Sequence, residues 1–415
     1  MEETRMKKTL VLLFAALLVV AFTLPASAFD SQFGGYWRTR WFIQNQFSGD
    51  DLGTADVNRI DTRTRLYYTA VFSDDFKFVN RFEFNARYGD TEGGDIGTDG
   101  DTFRVKHSFA DFRTGAVRWT VGLQGAVLAR GFIFDDDFAG AIIRYQPGTT
   151  GDMLIPLMAA KVEAGPSQTP ARGNNDDVNL FALYPFFPMG NMNFNPYLVY
   201  LHQNYSGTTD AKNDVYWLGL DWDIKLDPAS LWLTGIYQGG EVDGTGVNSA
   251  AGAKADVGAY LFGLGFNVPL GGFGLHGEGW YVSGDNDATD DKEKAFSGAP
   301  GNSYYWSEIM GLGIFDNQAS NGAPGNNLTN IYALDIGIDW KPSDIWAIKA
   351  DVWYASLVEE DAAGEKSLGT ELDLVATYTV IENMKLDLVG AYLFSGKATG
   401  DKDPYELGMR LSFSF

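Results

Sequence analysis

The stretch 368-LGTELDLVATYTVIENMKLDLVGAYLFSG-396 decides the fold class. Leu372, Leu374, Ala376 and Tyr378 fall on one side of an extended chain, and Glu371, Asp373, Val375 and Thr377 on the other. Residues 381-IENM-384 turn the chain. Leu386, Leu388, Gly390, Tyr392 and Phe394 then alternate against Lys385, Asp387, Val389 and Ala391. Alternation with a period of two marks a strand with unlike faces, and two such strands around a tight turn form a hairpin. The chain ends in the same pattern: in 405-YELGMRLSFSF-415 every second residue from Tyr405 to Phe415 is large and apolar. Termini usually fray and are usually polar. Alternation kept to the last residue therefore predicts a final strand paired along its whole length.

The pattern runs back through the chain, with little helical periodicity anywhere. Tight turns are expected near 73–75, 114–116, 147–151, 188–191, 227–229, 270–272, 341–344 and 381–383. Longer polar loops are expected near 48–58, 90–101, 131–138, 165–176, 206–213, 240–254, 284–328, 359–367 and 396–404. Short and long connections alternate, which is one hairpin after another. The count is about 18 strands, with 16 as the nearest alternative, and both termini fall on the tight-turn side. Pro156, Pro185, Pro188 and Pro196 interrupt the alternation between 139 and 197, because proline cannot donate to a ladder.

An up-and-down sheet of this size must close to remove its edges. A barrel of about 18 strands is too wide for its own side chains to fill, so its interior is expected to be wet. The polar faces then line a lumen and the apolar faces need a lipid outside. The pattern thus predicts an all-β, transmembrane, up-and-down antiparallel β-barrel. Trp37, Trp41, Tyr88, Trp222, Trp340, Trp346, Tyr378 and Tyr392, near strand ends, are candidates for interfacial aromatic girdles.

The N-terminus fits that destination. Basic residues precede an apolar run from Leu10 to Phe22, and Ala26-Ser27-Ala28 follows Pro25. This is the layout of a signal peptide over 1–28, leaving a barrel over 29–415. Glu2 and Glu3 are unusual in such a region, and Met6 is a second candidate start. Cleavage removes three basic and two acidic residues and moves the net charge from −23 to −24. An acidic chain of this kind is no general nucleic-acid binder. It contains no cysteine and only three histidines, so neither disulfides nor a metal site is expected.

The signal peptide, the serial hairpins and the terminal 410-RLSFSF-415 together resemble a Gram-negative outer-membrane porin. More narrowly, the 368–396 hairpin resembles the C-terminal hairpin of alginate-export-like barrels. The resemblance implies an 18-stranded barrel in the bacterial outer membrane with periplasmic termini. It implies outer-membrane lipid and lipopolysaccharide as surroundings and Phe415 as the signal read by the barrel-assembly machinery. A homotrimer is compatible with this class and not required by it.

Arginine is distributed unevenly. Between Phe29 and Pro147 stand 12 of the 14 arginines that follow residue 28, with only Arg172 and Arg410 later. Arg38 and Arg40 share a polar face, as do Arg59, Arg63 and Arg65, and Arg81 and Arg87. Later strands carry acids on their polar faces: Asp221, Asp223, Asp335, Asp339, Asp351, Glu371, Asp373 and Asp387. In a barrel these become a basic arc facing an acidic arc across the lumen, with a transverse field between them. The plainer reading is that both are solvated wall residues. Asp135, Asp136 and Asp137 in 131-GFIFDDDFAG-140 are a candidate inward-folded constriction loop or an ordinary hairpin tip. The acidic loops 89–101 and 284–294 read as a solvated rim rather than calcium sites, since neither has EF-hand spacing. Gly272, Gly274 and Gly277 match G-x-G-x-x-G but sit in a hairpin with no following helix. Asn204 and Asn327 match glycosylation acceptors that carry no meaning in a bacterial host. His107, His202 and His276 lie in no nucleophile motif and read as wall residues.

The expected function is a passive, water-filled channel for small hydrophilic or charged solutes, with no cofactor and no catalytic residue. A dedicated channel or exporter for an acidic polymer or organic acid is the alternative, and an outer-membrane enzyme or structural barrel stands further off. The protein should fractionate with the outer membrane and migrate differently on gels before and after boiling. A soluble periplasmic protein with no heat-dependent shift would end the barrel reading.

Overall fold

A computed structural model describes residues 29–89, 103–148, 153–163, 177–204, 212–243, 254–287 and 290–415. The segment 1–28 expected to be a signal peptide, the loops expected at 90–101 and 165–176, and most of those at 206–213 and 240–254 lie outside the described residues. Eighteen strands form the wall. The first seven are β1 (Asp30–Asn45), β2 (Val57–Ser73), β3 (Phe76–Arg87), β4 (Phe103–Thr114), β5 (Val117–Leu128), β6 (Phe134–Tyr145) and β7 (Ile155–Glu163). β8 runs over Val178–Leu183 and resumes at Phe187–Met189 after a break at Pro185. Then come β9 (Met192–Asn204), β10 (Lys212–Leu226), β11 (Ala229–Asp243), β12 (Lys254–Leu270) and β13 (Phe273–Val282). The last five are β14 (Ile331–Ser343), β15 (Trp346–Leu357), β16 (Ser367–Ile381), β17 (Met384–Ser395) and β18 (Tyr405–Ser414).

Each strand pairs antiparallel with the next, and β18 pairs with β1 from Tyr405↔Asn45 to Ser414↔Tyr36. Phe415 continues the ladder: its carbonyl accepts from Gly35 N at 2.8 Å, and its N–H donates to Gly35 O at 3.2 Å. Closure at this seam needs small residues. A Cβ on Gly35 would stand 2.4 Å from the Phe415 ring and 2.6 Å from the Arg65 carbonyl. Seven of the eight expected tight turns join their strands, the one at 147–151 lies partly outside the described residues, and the strand count settles on the larger of the two alternatives.

Parity separates the faces as expected. On β14, Leu334, Ile336 and Ile338 are 60%, 55% and 51% exposed, while Ala333 and Gly337, of the opposite parity, are buried. The exposed apolar side chains form the lipid surface, and a one-residue slip would put charged wall residues into it at about 2–4 kcal/mol for an arginine at the midplane. Aromatic pairs mark its two borders. Phe273–Trp340, Trp346–Tyr378 and Phe194–Trp222 lie at the tight-turn end, and Tyr216–Tyr237, Tyr260–Tyr281 and Tyr332–Tyr354 toward the other.

Two expectations about the interior need correction. Asp135, Asp136 and Asp137 are not a loop: they belong to β6 and pair with Val127, Ala126 and Gly125 of β5. Three consecutive acids read as a turn, but a wall that faces a cavity tolerates them, and Asp137 is paired there with Lys106 and His107. The second concerns width. The lumen is not simply wet, because the connection 283–330 between β13 and β14 folds into it. Its Phe296, Trp306, Ile309, Met310 and Phe315 are buried, packed with wall residues such as Phe42, Trp280, Trp353 and Leu393. Wall side chains alone cannot fill a barrel of this width, but a 48-residue connection, counted from 283 to 330, takes up much of the space they leave.

Gly35→Val should lower the heat-modifiable, folded fraction as strongly as deletion of Phe415, since the clash is with backbone as well as ring. Deleting one residue from the 358–366 connection should leave it near the parent level. Equal yields for all three proteins on unboiled gels would remove the closing seam from its assembly role.

Candidate solute path along a basic wall

Carboxylates of the late strands hold one side of the inner loop 283–330. Glu371 on β16 accepts the N–H groups of Ile309 and Met310 at 2.6 and 3.0 Å, and Asp373 accepts that of Glu308 at 3.2 Å. The other side of the loop meets β1 and β2: Arg40 donates to the Phe315 carbonyl, Arg59 to Asn317, and Asn321 N donates to Phe47 O at 2.8 Å. A third seam joins it to the turn before β6, where Ala299 N donates to Ile133 O and Asp135 N to Gly301 O, both at 2.9 Å. Gly131 (φ +94) and Gly301 (φ +87) permit that approach, since a Cβ on Gly131 would lie 2.4 Å from the Ser303 carbonyl.

The loop leaves a passage on the side of the early strands. One cavity of about 800 Å³ is lined by Arg63, Arg65, Arg81, Arg104, Lys106 and Arg144, with Asp135–Asp137 on the adjoining wall and Ser303, Tyr305 and Asp316 from the loop. A second of about 460 Å³ is lined by Arg38, Arg40, Arg59 and Arg87 together with Arg63, Arg104 and Asp316, which belong to both. All seven arginines of the expected basic arc thus border one or other of these two cavities, with Arg59 and Arg87 near the long-loop end of the wall and Arg144 near the tight-turn end.

Local contacts fix these side chains. Arg40 Nε pairs with Asp61 at 2.7 Å, Arg65 Nε with Glu83 at 2.7 Å, and Arg63 Nε donates to Asn85 at 2.8 Å. Arg81 lies over the Tyr67 ring at 4.9 Å, and Arg40 and Arg59 flank the Phe42 ring at 5.1 and 5.8 Å. Arg38 and Arg63 stand directly opposite each other across the β1–β2 ladder. Arg104, Lys106 and Arg144 complete the wall although the arc expected from sequence omits them. A register shift in the β3–β4 ladder, where Arg81 faces His107 and Glu83 faces Arg104, breaks the alternation on β4, so strict parity does not place these residues.

The acids of the late strands sit on the inner face but do not confront the arginines across water. Asp387 pairs with Arg410 at 2.8 Å. Asp223 pairs at 2.8 Å with Arg130, which crosses from the β5–β6 turn with a left-handed backbone (φ 58) and also lies 3.8 Å from Asp221. Asp339 and Asp351 hold His276, with Asp335 beside it, and Glu371 and Asp373 hold the loop. The open field between two arcs is therefore corrected to a basic wall facing the inner loop, with the acids consumed behind it.

An eighteen-stranded antiparallel barrel with an apolar exterior and a polar path inside is an outer-membrane barrel of the porin type. The Alginate export family profile matches residues 166–412, and the chain belongs to that family. In fold it is similar to Pseudomonas aeruginosa OpdK, solved with vanillate, at TM-score 0.61 and 13% identity, covering 93% of this chain and 98% of that one. It is also similar to P. aeruginosa OccK8 (OprE) at TM-score 0.60 and 12% identity, covering 93% and 98%. P. aeruginosa OccD3 (OpdP) is similar at 0.57 and 14%, covering 92% and 91%. No curated protein is close enough in sequence to count as a match.

Seating of the inner loop should depend on pH. Burial, with Glu371 adding to it, pushes the Glu308 carboxyl up to about 7, against the Ile314 N–H that it accepts at 2.8 Å. A solvated glutamate titrates near about 4.3. Between those values the seated loop holds a proton that a displaced loop has lost, so seating is strongest below the lower value, weakens as pH rises to about 7, and is level above it. After correction for intrinsic rates, amides 309–314 should exchange faster at pH 7.5 than at pH 5, and Glu308→Gln should flatten the difference. Equal protection at both pH values in the parent would remove Glu308 from control of the loop.

Proposed function

We propose that the protein is a passive channel for small anionic solutes, carboxylates foremost, which pass between the inner loop and the basic wall. The observation that carries this reading is the pair of cavities, sharing Arg63, Arg104 and Asp316 in their lining, that Arg59, Arg38, Arg65, Arg81 and Arg144 also border. Guanidinium groups keep their charge at any accessible pH and offer planar donor pairs that match a carboxylate. Cavities of about 800 and 460 Å³ suit small solutes, which commonly occupy about 300–1,000 Å³. The likeness to a barrel solved with vanillate, an aromatic carboxylate, supports the same chemistry.

Family membership favours a second reading, passage of an acidic polysaccharide. The inner loop weighs against it, because a polymer needs a continuous bore and the loop packs inside the barrel against Phe42, Trp280 and Trp353. In the favoured reading the protein has no catalytic role, the lipid-facing wall contacts outer-membrane lipid and lipopolysaccharide, and Phe415 is what the assembly machinery engages.

Arg63, Arg65 and Arg81 border the same cavity, and changing all three to Glu should move the reversal potential in a salt gradient toward cation preference. The shift should be largest at about 0.01 M salt, where the Debye length reaches about 30 Å. Folding should survive, since lumen substitutions do not enter lipid. A folded triple variant with the parent's reversal potential at low salt would remove these arginines from the conducting path.

A further inference from the structure

Three neighbouring strands bring a histidine and three carboxylates together on the lumen face, away from the basic wall. His276 on β13, Gly337 on β14 and Asp351 on β15 stand side by side in register. Asp335 and Asp339 flank Gly337 two residues to either side, on the same face. His276 Nδ1 lies 2.8 Å from Asp339 Oδ2, and Nε2 lies 2.6 Å from Asp351 Oδ1 and 4.0 Å from Asp335 Oδ2. One ligand atom each from His276, Asp335 and Asp351 falls within 4.8 Å of the other two.

Three further details point to an occupant. The Asp335 side chain is 2% exposed, and its Oδ1 has no hydrogen-bond partner. Lys349 Nζ takes the other oxygen of Asp351, Oδ2, at 3.0 Å, and leaves Oδ1 turned to the histidine. Gly337 keeps the space between them open: a Cβ there would stand 2.3 Å from both Asp351 Oδ1 and His276 Nε2.

We propose that His276 Nε2, Asp335 and Asp351 bind one divalent transition cation of the zinc type. No local motif announces it, since the three histidines are far apart in the chain and the carboxylates come from two other strands. A carboxylate on Nδ1 is the usual outer partner of a metal-bound imidazole, and it holds the ring with Nε2 toward the metal. Metal–ligand bonds of about 2.0–2.2 Å in a tetrahedral site place ligand atoms roughly 3.4 Å apart, between the two Nε2 distances here. One imidazole with two carboxylates suits borderline cations, whereas calcium and magnesium take oxygen alone. The cation replaces the proton shared by Nε2 and Asp351 Oδ1, neutralises two carboxylates and ties β13, β14 and β15 together.

The test uses the folded full-length barrel in detergent, stripped with chelator and dialysed against Zn²⁺, with bound zinc measured by mass spectrometry. The parent should hold one zinc per chain. His276→Gln and Asp335→Asn should each bind at least tenfold more weakly, and so should Gly337→Ala, which keeps every ligand but fills the space between them. His202→Gln, which alters a histidine paired with Asp214 elsewhere in the wall, should bind as the parent does. Gel migration before boiling confirms that each variant is folded, and if Gly337→Ala is not, the two ligand variants decide. Co²⁺ in place of zinc should give a tetrahedral visible spectrum that disappears in His276→Gln. A parent that binds no more zinc than His276→Gln overturns the proposal, as does a cobalt spectrum that the variant leaves unchanged; either result leaves the cluster as hydrogen-bonded wall residues only.

Discussion

A sheet edge cannot be left open in a bilayer. No water is available to satisfy the N–H and C=O groups of a first or last strand, and each such group costs several kcal/mol. Pairing of β18 with β1, extended to the final residue by Phe415 and Gly35, removes both edges at once. That seam also fixes the faces. Because neighbouring residues alternate in every strand, the register Trp41↔Met409 and Arg40↔Arg410 determines which residues of β1 meet lipid, and each later ladder passes the choice on. The faces of the wall arginines and aspartates follow from this closure, adjusted where a register shift intervenes, as it does at Arg81 and Phe82.

Once closed, an eighteen-stranded wall leaves more space than its own side chains can occupy, and the inner loop takes it up. Chemistry explains why the loop sits against the late strands. An irregular backbone brings unpaired N–H groups into a place with little water, and a carboxylate can accept two of them, as Glu371 does from Ile309 and Met310. Guanidinium groups have no acceptor. They can take only carbonyls, as Arg40 takes that of Phe315. An acidic wall is therefore the better anchor for a folded-in chain, and the basic wall is the side left open. The asymmetry of charge around the barrel and the asymmetry of the filling have the same origin.

How much of this could be read in the sequence follows from what carries a period. Hairpins, tight turns, strand number and the faces of Arg38, Arg63 and Arg65 all show in alternation, because the sheet itself has a period of two. The segment 283–330 has none. Its burial comes from contacts with residues far away in sequence, such as Phe315 with Phe42 and Trp306 with Trp353, and no local pattern encodes them. Asp135–Asp137 mislead for a related reason: three acids in a row break the alternation although the backbone stays in the sheet. The break at Pro185 was legible because proline acts locally, through its missing donor.

The contacts among the wall arginines also bear on how a channel can release what it attracts. A row of bare guanidinium groups in a narrow passage would hold an anion too firmly to pass it on. Here Asp61, Glu83 and Asp137 are interleaved with the cations, each within hydrogen-bond distance of at least one of Arg40, Arg65, Lys106 or His107. Every such pair offsets part of the local charge but leaves donors turned to the cavity, since an arginine has five and Arg65 meets Glu83 through Nε. Conduction needs sites strong enough to draw a solute in and weak enough, and close enough together, to pass it along. A ladder of partly compensated arginines on neighbouring strands about 4.7–4.9 Å apart meets both requirements, and the spacing is set by the hydrogen-bonded sheet itself.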